Sequence, residues 1–151
     1  MIQIINSEKL EEARKLIEKA HKEGKEVAVH GRDIEFNRKV LENKKVNMLI
    51  LQHKLGKDKL KERDSGLNQV LCRITKDNNI TLAIDFKELE EDDKKIKAKI
   101  LSRIIQNIKL AKKFKNKLII TNKPSDNLSL AAFLRTLGAD TKLAEEATKS
   151  Q

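Results

Sequence analysis

The chain has 151 residues, enough for one substantial core, and 38% of them are apolar, with no Trp or Tyr and four Phe. Its 37% of charged residues, single Pro and five Gly exclude a collagen-like or low-complexity chain, and its one cysteine, Cys72, excludes a disulfide framework or a cysteine-based zinc site within the chain. The net charge of +10 is carried by residues 94–117, where nine Lys and one Arg stand without a single Asp or Glu.

Taken in chain order, short aliphatic runs alternate with helical patterns. "IQII" (2–5) reads as a strand, and Ser7 is placed to cap a helix with Leu10, Ala13, Ile17 and Ala20 on one face, stopped by Gly24. "VAVHG" (27–31) is the second strand, followed by a helix carrying Ile34, Val40 and Leu41. "NMLILQH" (47–53) is the third, continuously apolar as befits a strand covered on both sides. After the basic connection 53–66, a helix over 65–78 is expected, with Asp64 or Ser65 as cap and Leu67, Val70, Leu71 and Ile74 as its core stripe. "ITLAIDF" (80–86) and "KLIITN" (117–122) are strands four and five, flanking a long basic helix over 92–116. Helices over 127–138 and 141–149 close the series.

Strand–helix alternation at about 30 residues per unit predicts a single α/β domain over 1–151 with about five parallel strands and right-handed crossovers. Five strands suit an open doubly wound sheet or an incomplete barrel, since a complete (β/α) barrel takes eight. No apolar run reaches the roughly 20 residues of a membrane span, and no leader pattern opens the chain, so it reads as cytoplasmic without a membrane partner.

A basic surface on an otherwise charge-balanced domain points to a polyanion partner. In the connection before the third helix, Lys54, Lys57, Lys59, Lys61 and Arg63 lead into a helix start, where the amides of Ser65 and Gly66 can meet a phosphate. Arg103, Lys109, Lys112 and Lys113 on the long helix offer a second basic surface. Base-stacking aromatics are missing, so contact should go to phosphates and depend on salt. The sharp alternative is a stand-alone metal-dependent phosphoesterase using His30, His53 and Asp85 at successive strand ends. Against it stands the lack of an HxH pair, an HExxH motif or an acidic cluster suited to two hard cations. No glycine-rich nucleotide loop or GxSxG nucleophile motif is present.

The stretch "RDSGLNQVLCRITKDNNITLAIDF" (63–86), "ILSRIIQNIKLAKKFKNKLIITN" (100–122) and the tail "LAAFLRTLGAD" (130–140) resemble the archaeal ribonuclease P protein component 3 family, the counterpart of the eukaryotic 30-kilodalton subunit. Its most specific sign is the turn Arg63-Asp64-Ser65-Gly66, with Asn68, Val70 and Leu71 after it. The resemblance implies a TIM-barrel-like fold related to PHP-type phosphoesterases that have lost their metal ligands. It also implies a non-catalytic subunit of the ribonucleoprotein that removes the 5′ leader of precursor tRNA. The partners it implies are the ribonuclease P RNA, precursor tRNA in the complex and other protein subunits, above all a small α/β one. The chain itself is then expected to bind no cofactor, with Mg2+ serving the RNA in the assembled particle. Two departures stand out: the family is usually longer, so this barrel is compact or incomplete, and Gln69 replaces the family's usual His or Asp. A structural protein on tRNA or ribosomal RNA outside ribonuclease P is the third reading.

Overall fold

The computed structural model describes residues 1–54, 58 and 64–149. Five strands, β1 (Ile2–Ile5), β2 (Glu26–His30), β3 (Met48–Leu51), β4 (Thr81–Asp85) and β5 (Leu118–Thr121), alternate with helices α1 (Leu10–Lys22), α2 (Ile34–Leu41), α3 (Gln69–Asp77) and α4 (Lys94–Phe114). A 3-10 turn (Phe86–Glu90) precedes α4, and α5 (Asn127–Thr136) and α6 (Thr141–Lys149) follow β5.

The strands pair in sequence order, β1-β2-β3-β4-β5, and every pair is parallel. Repeated right-handed crossovers to the next neighbour all fall on the same side of a sheet, which yields an arc of a (β/α) barrel rather than a doubly wound sheet. The burial pattern agrees. One large core joins Val29, Leu49, Leu51, Leu82, Ile84 and Ile120 to the helices. The opposite, concave face has its own small cluster of Ala28, Ile50, Ala83 and Ile119, with Met48 beside it. On the edge strand β1 the concave face is open: Ile2 and Ile4 are 45% and 57% exposed.

Two expected caps move. Ser7 does not cap α1, which begins at Leu10; its hydroxyl donates to Glu12 and accepts from the Lys9 amide instead. At α3 the cap is Asn68, whose Oδ1 accepts from the Leu71 amide at 2.9 Å, so Asp64 and Ser65 lie before the helix. Packing, not the cap, decides the buried face: Leu71, Cys72 and Thr75 are buried with Leu67, while Val70, expected in the core, is 48% exposed. Elsewhere Asp33, Asp93 and Asp126 accept from first-turn amides of α2, α4 and α5. No helix among the described residues is long and apolar enough to cross a membrane.

Candidate functional site

The stripe of α4 that faces the core is not purely aliphatic. Ile100, Ile104, Ile108 and Ala111 share it with Arg103 and Asn107, which sit three and seven residues after Ile100 on the same side of the helix. Both are buried, Arg103 3% exposed and Asn107 fully. A buried guanidinium and amide need partners, and the residues around the signature turn take up N–H groups of both, while Asn107 Oδ1 has no hydrogen bond among the described residues. Arg103 Nη1 donates to the His53 carbonyl at 2.6 Å, and Nη2 reaches Asp58 Oδ1 at 3.1 Å. Asn107 Nδ2 lies 3.0 Å from His53 Nε2 and donates to the Ser65 carbonyl at 2.9 Å.

That last bond fixes the chemistry of His53. An amide turned the other way would set its oxygen against the Ser65 carbonyl, so Asn107 presents N–H to His53, whose Nε2 is an acceptor. The ring proton is then on Nδ1, which donates to Glu88 Oε2 at 2.6 Å, while the His53 amide donates to Glu88 Oε1 at 3.0 Å. His53 is fully buried and both ring nitrogens are occupied.

Gly66 completes the clamp. It adopts φ +77, which favours glycine, and an added Cβ would sit 3.0 Å from Asn37 Nδ2. Asn37, 1% exposed on α2, donates to the Gly66 carbonyl at 2.8 Å and accepts from the Arg32 amide at 2.6 Å. The turn is therefore held from two helices, by Asn37 of α2 and Asn107 of α4.

This arrangement corrects three expected phosphate contacts. Arg103 is inside the protein rather than on a basic surface. Ser65 is fully buried. The Gly66 amide already donates to Asp64 Oδ1 at 3.0 Å. Lys54 is exposed but paired with Glu91 at 2.9 Å; the bond raises the lysine's pKa and lowers the carboxylate's. Lys57, Lys59, Lys61 and Arg63 lie outside the described residues. Lys109, Lys112 and Lys113 are exposed, and the stem of Lys109 passes beneath Gly138.

The metal-site alternative separates for a reason of strand geometry. Side chains alternate along a strand, so β3 sends Leu51 and His53 toward the helices and Ile50 toward the concave face. His30 and Asp85 belong to that concave face, by their pairing with Ile50 and with Thr121. The three candidates thus do not converge, and the described residues contain no group of three or more His, Cys, Asp or Glu able to hold a metal ion. His30 Nδ1 is instead 2.6 Å from Gln52 Nε2, and burial lowers its pKa while Asp85 opposes the shift. Asp85 accepts from Asn122 and from the Lys87 amide.

Sequence reasoning missed Asn37, Asn107 and Glu88. The first two had a legible sign: each occupies a core position in the helical period of its element.

No family-level profile matches the chain. Individual relatives do. Ribonuclease P protein component 3 of Methanococcus maripaludis strain C7 is 29% identical over 128 residues, which is 85% of this chain and 53% of that protein. The protein of the same name from Methanothermobacter thermautotrophicus is 27% identical over 142 residues, 94% of this chain and 54% of the relative. Among solved structures, a chain in a cryo-EM structure of archaeal ribonuclease P with mature tRNA superposes with a TM-score of 0.77 at 25% identity, over 98% of this chain and 64% of that one. The chain spans about half the length of the curated relatives it matches. The resemblance read from the signature turn is thus borne out over most of the chain.

Proposed function

We propose that this chain is a protein subunit of ribonuclease P, the ribonucleoprotein that trims the 5′ end of precursor tRNA. It would support the catalytic RNA alongside other protein subunits rather than cut RNA itself. The observation that carries this reading is the joint likeness in sequence and fold to component 3 over 85% or more of the chain. The site geometry supports the non-catalytic part. The polar residues nearest the signature turn are spent on one another: His53 has no free nitrogen, Arg103 is held by a carbonyl and a carboxylate, and Ser65 is sealed from solvent.

In this role the turn is a structural clamp that ties the β3–α3 connection to α2 and α4. Contacts to RNA would come from the exposed Lys109, Lys112 and Lys113 on α4, with Lys54, Lys57, Lys59, Lys61 and Arg63 of the basic connection before α3 as a secondary contribution, through phosphates and with strong salt dependence. The reaction would take its Mg2+ through the RNA. A small α/β subunit is the protein partner that the resemblance implies.

Reconstitution tests it. Ribonuclease P RNA, the other protein subunits and this chain should together cleave precursor tRNA in Mg2+, with activity falling at least tenfold when this chain is left out. Cleavage of precursor tRNA by the pure chain without RNA, or equal activity with and without the chain, would contradict the proposal.

A further inference from the structure

The positive charge of this molecule is sorted by fold geometry, and the sorting goes beyond the long basic helix. In a parallel β/α arc the C-terminus of each helix that follows a strand, and the loop after it, gather at the amino ends of the strands. Those segments are 19–26, 38–48, 74–81, 111–118 and, across the α5–α6 junction, 133–144. They hold fourteen Lys and Arg against five Asp and Glu, a net +9 in a chain whose total is +10. The described residues at the opposite end, 5–13, 30–37, 52–54, 58, 64–72, 85–97 and 121–130, hold eight Lys and Arg against fourteen Asp and Glu, a net −6. Among the described residues the charge is thus sorted between the two ends of the sheet.

Lysines at helix C-termini gain from the helix dipole, and that alone enriches this end in cations. The dipole does not account for the densest part. Lys142 is in the first turn of α6, where a cation is disfavoured, and Lys117 immediately precedes strand β5. Lys112, Lys113, Lys115, Lys117 and Lys142 gather where the C-terminus of α4 meets the N-terminus of α6. A cleft of about 270 Å3 opens there, with Lys112, Lys115 and Lys142 on its walls beside Asp140 and Glu146. None of the five lysines forms an ion pair among the described residues, whereas Lys25, Lys45 and Lys54 are paired with carboxylates.

Resting on the subunit reading, we infer that the RNA backbone lies across the amino end of the sheet, centred on the α4–α6 junction. The carboxyl end, where parallel α/β proteins usually place their ligands, is net acidic among the described residues and would be at most a secondary RNA surface, through the basic connection before α3. A run of lysines that form no ion pair among the described residues suits the phosphates of an RNA helix, which are read by charge and shape.

The test compares two triple neutralisations of equal charge in the full chain, with an RNA duplex as probe and affinity read across a salt series. One variant is Lys112→Gln/Lys113→Gln/Lys115→Gln at the amino end. The other is Lys87→Gln/Lys94→Gln/Lys95→Gln at the carboxyl end. The first should weaken binding at least tenfold at low salt and reduce the salt slope by about three, roughly one for each phosphate that a lysine no longer neutralises. The second should stay within about twofold of the wild type. Equal losses in both, or a loss only in the second, would overturn this placement and leave the subunit reading intact, which the reconstitution decides by itself. Wild-type protein that binds polyglutamate but not the duplex would overturn the placement in favour of an acidic protein partner.

Discussion

Replacing Asn107 by Ala removes one side chain that satisfies two buried acceptors at once, the Ser65 carbonyl at 2.9 Å and His53 Nε2 at 3.0 Å. Each acceptor left without a donor costs about 1–3 kcal/mol, and truncation of a fully buried side chain adds a small cavity. The two acceptors share one donor group and relax together, so about 3 kcal/mol is expected rather than the full sum. For a chain of this size that corresponds to a fall in Tm of roughly 6–12 °C. Thermal unfolding followed by far-UV circular dichroism measures it, with Val70→Ala, at a half-exposed position of α3, as a control expected within about 0.5 kcal/mol. A loss in Asn107→Ala no larger than the control's would refute the claim that this amide clamps the turn.

Two further outcomes follow from titratable groups that burial perturbs, one fully buried and one partly so. Cys72 is fully buried and its thiol is pushed up to about 12 by burial, so a maleimide at pH 8 should leave the native protein unlabelled and react once denaturant is added; rapid native labelling would contradict this. His30 has a lowered pKa in the folded state because burial disfavours its charged form. Its contribution to stability is complete above the ordinary value near 6.5 and declines as pH falls below it, because the unfolded chain takes up the proton first. Denaturant titrations from pH 7.5 to 5 should therefore show a smaller loss of stability in His30→Asn than in the wild type, and parallel curves would remove His30 as the cause.

Much of the architecture was legible because parallel strands buried between layers are written as continuous aliphatic runs: "VAV", "MLIL" and "LII" each mark a strand. The caps were harder. Asp64, Ser65 and Asn68 all suit a helix start, and only packing selects Asn68; packing also leaves Val70 at the surface while Cys72 and Thr75 go inside. Strand parity, available from sequence, would have separated His53 from His30 and Asp85, since positions 51 and 53 share a face and 50 does not. The buried status of Arg103 was also latent in its spacing from Ile100 and Ile104. What the spacing could not supply was its partner: Arg103 and His53 are fifty residues apart, and a lone charge in a core stripe makes sense only when that partner is in view. The basic segment 94–117 was visible as a run, but its meeting with Lys142 depends on α6 folding back against the end of α4.

The central claim is that this chain works inside ribonuclease P. The most direct measurement is recovery of the tagged chain from its native cells under mild salt, with sequencing of the RNA that comes with it. The account predicts that ribonuclease P RNA is strongly enriched over ribosomal RNA and that high salt releases it. Recovery of the chain with no enrichment of that RNA would contradict the account.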